Sequence, residues 1–385
     1  MKNIRYPHFL LLLFTLLTLP QIVFADRAFP DKEALGGALY FDVNLSLQRN
    51  QSCASCHSPA RGFIDNREND LSRAVSIGSD GHSIGDRNTP MATYASLIPP
   101  FSRNSQGEYV GGQFHDGRAN SLADQAKGPP LNPGEMAMPN KEKVLERLLE
   151  NPLYVASFKQ LFKQNVLNDA SSAYEAMAAS IASFERTPIF TPFDSKYDRY
   201  LKGTYKMSAQ EQLGETLFFS SQFSNCHSCH QLKKIPGSAG ETFSNYQYHN
   251  IGIPKNIRVR AANGLGEDYI DRGLLDNPLV NDISQMGKFK VPSLRNVAIT
   301  GPYMHNGVFQ DLKTVVLFYD KYNSRKQSRK INPETNKLWQ APEVKQNISF
   351  DLLKGKALTD KRVDALVAFL KTLTDKRYEH FEKGS

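Results

Sequence analysis

Cys53-Ala54-Ser55-Cys56-His57 and Cys226-His227-Ser228-Cys229-His230 hold all four cysteines of the 385-residue chain, in two copies of C-x-x-C-H. In this motif both thiols add across the vinyl groups of one haem, and the adjacent imidazole reaches the iron. A two-residue spacer matches the vinyl separation, and the His that follows lies under the ring that the thioethers fix. A zinc site can use two C-x-x-C pairs and a thioredoxin-like site one, but both leave the following His unexplained twice over. Two covalently bound haem c groups are therefore expected, one on Cys53, Cys56 and His57, the other on Cys226, Cys229 and His230.

The flanks of the two motifs repeat as well. Leu35-Gly36-Gly37-Ala38-Leu39-Tyr40-Phe41 precedes the first and Leu213-Gly214-Glu215-Thr216-Leu217-Phe218-Phe219 the second. Downstream, His115-Asp116-Gly117 is followed by Leu122, and His305-Asn306-Gly307 by Leu312 at the same offset; Arg87-Asn88 and Arg295-Asn296 correspond more loosely. A repeat this long means two related haem domains and not a solenoid, whose unit is much shorter. Ser208-Ala209-Gln210-Glu211 reads as a capping box that opens the second half. Tyr174, Met177, Ile181 and Phe184 form one helical stripe before it, and Thr359 caps a last helix with Val363, Leu366, Val367 and Leu370 on one face. The Pro-containing segment from Thr187 to Lys206 is the expected linker, with the boundary near 203. The expected fold is mainly α: two tandem cytochrome c-like haem domains with long structured loops, at 26–202 and 203–385.

Hydrophobic residues make up 40% and charged residues 22% of the chain, which excludes a disordered or collagen-like protein. No stretch after residue 25 approaches a bilayer-spanning length. Lys2 and Arg5, the apolar run from Phe9 to Leu19 and the small Ala25 form the pattern of a cleavable signal peptide over residues 1–25, so export to the periplasm is expected. Its removal leaves 45 basic against 39 acidic residues, with no Lys/Arg block, which argues against a nucleic-acid partner. Leu312, Val315, Val316 and Tyr319 fall at i, i+3, i+4 and i+7, which puts Tyr319 on the buried stripe of a helix. That alone more often means a core tyrosine than an iron ligand.

Taken together, these residues resemble the bacterial dihaem cytochrome c peroxidases and their relatives, among them the methylamine-utilisation dihaem enzyme that matures a tryptophan-derived quinone. The resemblance covers nearly the whole mature chain. It rests on the two C-x-x-C-H motifs and on Gly81-His82 with Arg87-Asn88-Thr89-Pro90. It rests further on Phe114-His115-Asp116-Gly117-Arg118, on Lys127-Gly128-Pro129 through Glu135-Met136, and on Leu294-Arg295-Asn296 through Pro302-Tyr303-Met304-His305. The resemblance implies that His57 is the proximal ligand of an N-terminal, peroxide-reacting haem and His230 that of a C-terminal, electron-transferring haem. It implies that His82 caps the first iron in one redox state and that Glu135 is the distal carboxylate. Tyr319 aligns with a sixth-ligand position that is Met in the peroxidases and Tyr in the quinone-maturing enzyme, with Met286 and Met304 as the fallback. Asn88, Thr300 and Pro302 match an interdomain calcium site, whose oxygen-only donor set suits that ion. His249 resembles a second-haem pocket residue.

One departure stands out. The family normally has Trp between the haems where this chain has His115, and Trp339, the only tryptophan, lies far outside the motif. An imidazole is harder to oxidise than an indole, so His115 is expected to serve tunnelling or a propionate hydrogen bond, with nearby Tyr109 as a substitute relay. The resemblance implies an enzyme that reduces hydrogen peroxide with electrons from a small periplasmic cytochrome c or cupredoxin. The alternatives are an enzyme that oxidatively modifies a partner protein and a plain dihaem electron carrier. Family members often form homodimers, although no segment reads as a dimer seam.

Overall fold

Short polar side chains open the helices, and apolar stripes bury them. The computed structural model describes Met1, residues 28–232 and residues 238–384. The signal peptide expected over 1–25 falls, past Met1, outside the described residues. The helices of the first half are α1 (Lys32–Phe41), α2 (Cys53–Cys56), α3 (Leu122–Ala126), α4 (Lys141–Leu149), α5 (Pro152–Leu161), α6 (Ala170–Phe184) and α7 (Lys196–Leu201). Those of the second are α8 (Ala209–Phe218), α9 (Ile257–Ala262), α10 (Leu312–Asp320), α11 (Phe350–Leu353) and α12 (Asp360–Lys371). Asp31 caps α1 by accepting the Ala34 amide at 2.8 Å, Ser208 and Glu211 form the expected capping box on α8, and Thr359 caps α12. Among the described residues strands are short: three antiparallel two-stranded ribbons, of which β1 (Ser102–Arg103) with β2 (Tyr109–Val110) and β3 (Tyr248–His249) with β4 (Phe289–Lys290) matter below.

The duplication read from the sequence is built into the packing. Helix α1 crosses α6, and α8 crosses α12, each at a glycine. A Cβ on Gly36 would overlap the Ser180 carbonyl oxygen, and one on Gly214 would overlap that of Ala365; Phe184 and Phe369 sit beside the respective glycines. Each crossing seeds a core. The first gathers Leu35, Leu39, Tyr40, Phe158, Tyr174, Met177, Ile181 and Phe190; the second gathers Phe218, Phe243, Val363, Leu366, Phe369 and Leu373. Tyr197 on α7 already packs on Phe243 and Phe369, with ring centroids 5.4 and 5.5 Å apart. The chain therefore leaves the first core between Phe190 and Tyr197, ahead of the boundary expected near 203. Asp198, on the same helix, holds the fully buried Arg295 through two hydrogen bonds of 2.5 and 2.9 Å, so the buried charge is paired where it lies.

Loops from each half cross into the other. The Asn88 amide donates to the His305 carbonyl at 2.7 Å, and the Lys290 amide donates to the His115 carbonyl at 3.0 Å. Arg87 ties the halves together, binding Asp116 at 2.5 Å and Asp271 at 2.7 Å. No helix among the described residues is long and apolar enough to cross a membrane. The architecture is mainly α with long structured loops, as expected.

Candidate dihaem site

A cavity of about 520 Å³ runs between the two halves and is lined by Cys53, Cys56 and His57 at one end and by Cys226, Cys229 and His230 at the other. None of the four cysteines is in a disulfide. The two histidines are held alike: His57 Nδ1 lies 3.2 Å from the Phe63 carbonyl and His230 Nδ1 3.0 Å from the Phe243 carbonyl. A carbonyl only accepts, so Nδ1 carries the proton and Nε2 keeps its lone pair for a metal. Both phenylalanines take a left-handed backbone, φ 56°, to present those carbonyls. Burial lowers the His57 imidazole and pushes His230 down to about 4, so both imidazoles are neutral at pH 7. Four cysteines outside any disulfide, two neutral imidazoles and the orphaned buried His249 Nε2 and Tyr246 hydroxyl along one cavity fit two haem c groups.

Glu135 lines the first end of this cavity, in the loop between α3 and α4. Burial raises its carboxyl; the Arg118 guanidinium and an Asn132 hydrogen bond pull it back. Arg118 is itself stacked 3.7 Å over the Phe114 ring and paired with Asp116. The Ser79 amide donates to the Glu135 carbonyl at 2.7 Å, which ties the 78–83 turn to this loop. His82, on that turn, is exposed and does not line the cavity; Asp80 accepts its backbone amide at 2.9 Å.

At the second end, α10 turns Leu312, Val315, Val316 and Tyr319 into the cavity, while Phe318 packs away from it on Phe309 and Trp339. Burial, helped by the neighbouring Cys229 and Cys226, raises the Tyr319 hydroxyl well above its usual range. Met304 and His249 also line the cavity; Met286 does not. Burial pushes the His249 imidazole down to about 4.

Between the two ends lie Asn88, His115, Lys290, Thr300, Pro302 and His305. His115 Nε2 donates to the Asn88 carbonyl at 2.8 Å, and burial pushes its imidazole down to about 4. Lys290 donates to the Phe114 and Gly112 carbonyls, and burial brings its ammonium down to about 7. Asn88 uses its amide nitrogen on the Ala74 carbonyl at 3.0 Å, so the oxygen of the same amide is the atom it can offer a cation. Tyr109, the substitute relay expected from the sequence, is not in this cavity: it stacks on Phe101 at 5.4 Å, in a separate cluster with Tyr248 and Leu274. It lines a neighbouring cavity that shares His249 with this one.

Sequence reasoning missed Lys290, Glu185 and the tie made by Arg87. Glu185 falls four residues after Ile181, so a charged residue in line with the apolar stripe, at the C-cap of α6, was the available signal. Nothing in the sequence marked Lys290.

The fold and this paired site define a dihaem c-type peroxidase-like protein. A family model described as di-haem cytochrome c peroxidase matches residues 30–206. The methylamine utilization protein MauG of Paracoccus denitrificans is 52% identical over 365 residues, 94% of this chain and 94% of that protein. The cytochrome c551 peroxidase of Nitrosomonas europaea is 30% identical over 347 residues, covering 89% of this chain and 80% of the relative. The crystal structure of the diheme peroxidase BthA from Burkholderia thailandensis superposes with a TM-score of 0.77 at 30% identity, covering 92% of this chain and 88% of that one. The chain belongs to the dihaem cytochrome c peroxidase and MauG family, which carries two c-type haems.

Proposed function

We propose that this protein uses hydrogen peroxide to draw two electrons from a partner protein, which it modifies oxidatively, in the periplasm after removal of residues 1–25. The observation that carries this reading is Tyr319 on the wall of the second cavity end, an oxygen donor where the peroxidases have a thioether. An anionic oxygen ligand stabilises oxidised iron and suits a site that holds an oxidising equivalent. The exposed position of His82 agrees with a first site open to peroxide.

Haem, when bound at both motifs, supplies the iron that takes up peroxide and a second redox centre. The chain supplies the rest. Phe63 fixes the His57 tautomer, which makes Nε2 a stronger donor. Glu135 takes a proton from the nearer peroxide oxygen and returns it to the leaving one, so that water and not hydroxide departs. Two electrons and two protons convert hydrogen peroxide to two waters, and the electrons enter at the Tyr319 end. Asn88, Thr300 and Pro302 hold a calcium ion between the halves. Reduction of peroxide by electrons from a small cytochrome c or cupredoxin is the second reading, favoured by His115 in place of the inter-haem Trp.

Rapid mixing of the fully oxidised, calcium-loaded holoprotein with one equivalent of hydrogen peroxide separates the two. Fast absorbance changes at both haems from the oxidised form support partner oxidation. Reaction only after half-reduction assigns the protein to the second reading. No reaction in either state leaves an electron carrier.

A further inference from the structure

The two cavity ends are framed by the same kind of helix crossing, so positions along α6 at the first crossing have counterparts along α12 at the second. Ser180 and Phe184 on α6 meet Gly36 as Ala365 and Phe369 on α12 meet Gly214. One residue beyond each phenylalanine stand Glu185 and Leu370, and both line the cavity. The first end thus carries a carboxyl where its duplicate carries a leucine.

Glu185 is 6% exposed, and its Oε2 is buried with no hydrogen-bond partner. The groups that face it are few. Arg186 follows it at the end of α6 and pulls its carboxyl down. Tyr40 comes from α1, but its hydroxyl is engaged with the His57 carbonyl at 3.1 Å. Cys53 comes from α2 and is uncharged once it is a thioether; Glu135 acts on the same Cys53 from the distal loop. None of these neutralises the carboxylate inside the pocket, and burial pushes Glu185 up to about 8.

We propose that Glu185 is the redox-linked proton site of the first haem: its carboxylate takes one proton from solvent when that haem accepts an electron, and releases it on oxidation. The sign follows from charge. An oxidised haem carries one more positive charge than a reduced one and favours the carboxylate in the shared low-dielectric pocket. Proton affinity is therefore higher in the reduced state, and the first haem's potential falls as pH rises between the two affinities. Leu370 gives the second haem no such dependence. The proposal rests only on a haem held at Cys53 and Cys56.

The test is a redox titration of both haems of the holoprotein from pH 5.5 to 9, with chemical reductants and neither peroxide nor partner, so its outcome is independent of the proposed function. The wild-type first haem should approach one proton per electron across part of this range, while the second stays flat. Glu185→Gln should raise the first potential at high pH and abolish its slope. An unchanged slope in Glu185→Gln, or a flat wild type, overturns the proposal. If that variant fails to load haem, the reduced-minus-oxidised infrared difference spectrum of the wild type decides. Gain of a protonated-carboxyl C=O band on reduction supports the proposal, and its absence overturns it.

Discussion

Burial raises the Glu135 carboxyl while Arg118 pulls it back, and a carboxyl so placed on the cavity wall is the group proposed to take and return the proton. Replacing it by Gln keeps the shape and removes the proton. Glu135→Gln should slow peroxide cleavage roughly 10²–10⁴-fold with full haem content, measured by stopped-flow absorbance. A wild-type rate would take Glu135 out of the mechanism. Tyr319 presents the complementary case: desolvation opposes its ionisation, and only a cationic partner such as iron can overcome that. Tyr319→Met should raise the second haem's potential markedly in an equilibrium redox titration. An unchanged potential and spectrum would show that the tyrosine does not ligate.

At the scale of elements, the helix crossings decide how the haem ends are framed. Alanine is the better helix former by about 1 kcal/mol, so Gly36→Ala or Gly214→Ala would stabilise an isolated helix. Here the added methyl meets a backbone carbonyl of the crossing helix, which cannot rotate away. Each substitution should cost about 1–3 kcal/mol by urea unfolding, with loss of haem uptake in its own half first. A neutral or stabilising result would mean that the crossings are looser than described. Helix α10 shows the same economy in another form. It is apolar on two faces, one turned to the core through Leu317 and Phe318, the other to the cavity through Val315 and Tyr319.

The molecule as a whole depends on charges shared between halves. Burial alone would raise Asp271, but the hydrogen bonds and charge of Arg87 win and hold it well below the usual carboxylate range. An acid depressed on folding contributes stability that is present above its unfolded value, about 3.9, and lost as pH falls toward its folded one. Arg87→Met leaves Asp116 and Asp271 buried without that partner and should cost about 3–5 kcal/mol at pH 7. The wild type should lose stability on acidification below about pH 5, and the variant should lose much less. Denaturant titrations at pH 7 and about pH 2.5 check both, and equal pH dependence in the two proteins would rule out this joint.

Haem attachment, the duplication and the mainly helical architecture were determined by the sequence alone, because covalent chemistry and helix periodicity are local. C-x-x-C-H needs no partner from elsewhere in the chain, and the stripes of α6, α10 and α12 show in windows of a dozen residues. Tyr319 was legible on a stripe, but that its stripe also lines the cavity depended on where α10 docks. Only the tertiary structure decided that His82 stands outside the cavity, that Tyr109 lies outside it too, and that Lys290 and Glu185 are drawn in. The physical reason is that exposure and charge environment are set by segments far apart in the chain. The hydrogen bond from the Asn88 amide to the His305 carbonyl and the tie of Arg87 to Asp271, 184 residues away, exist only after both halves have folded against each other.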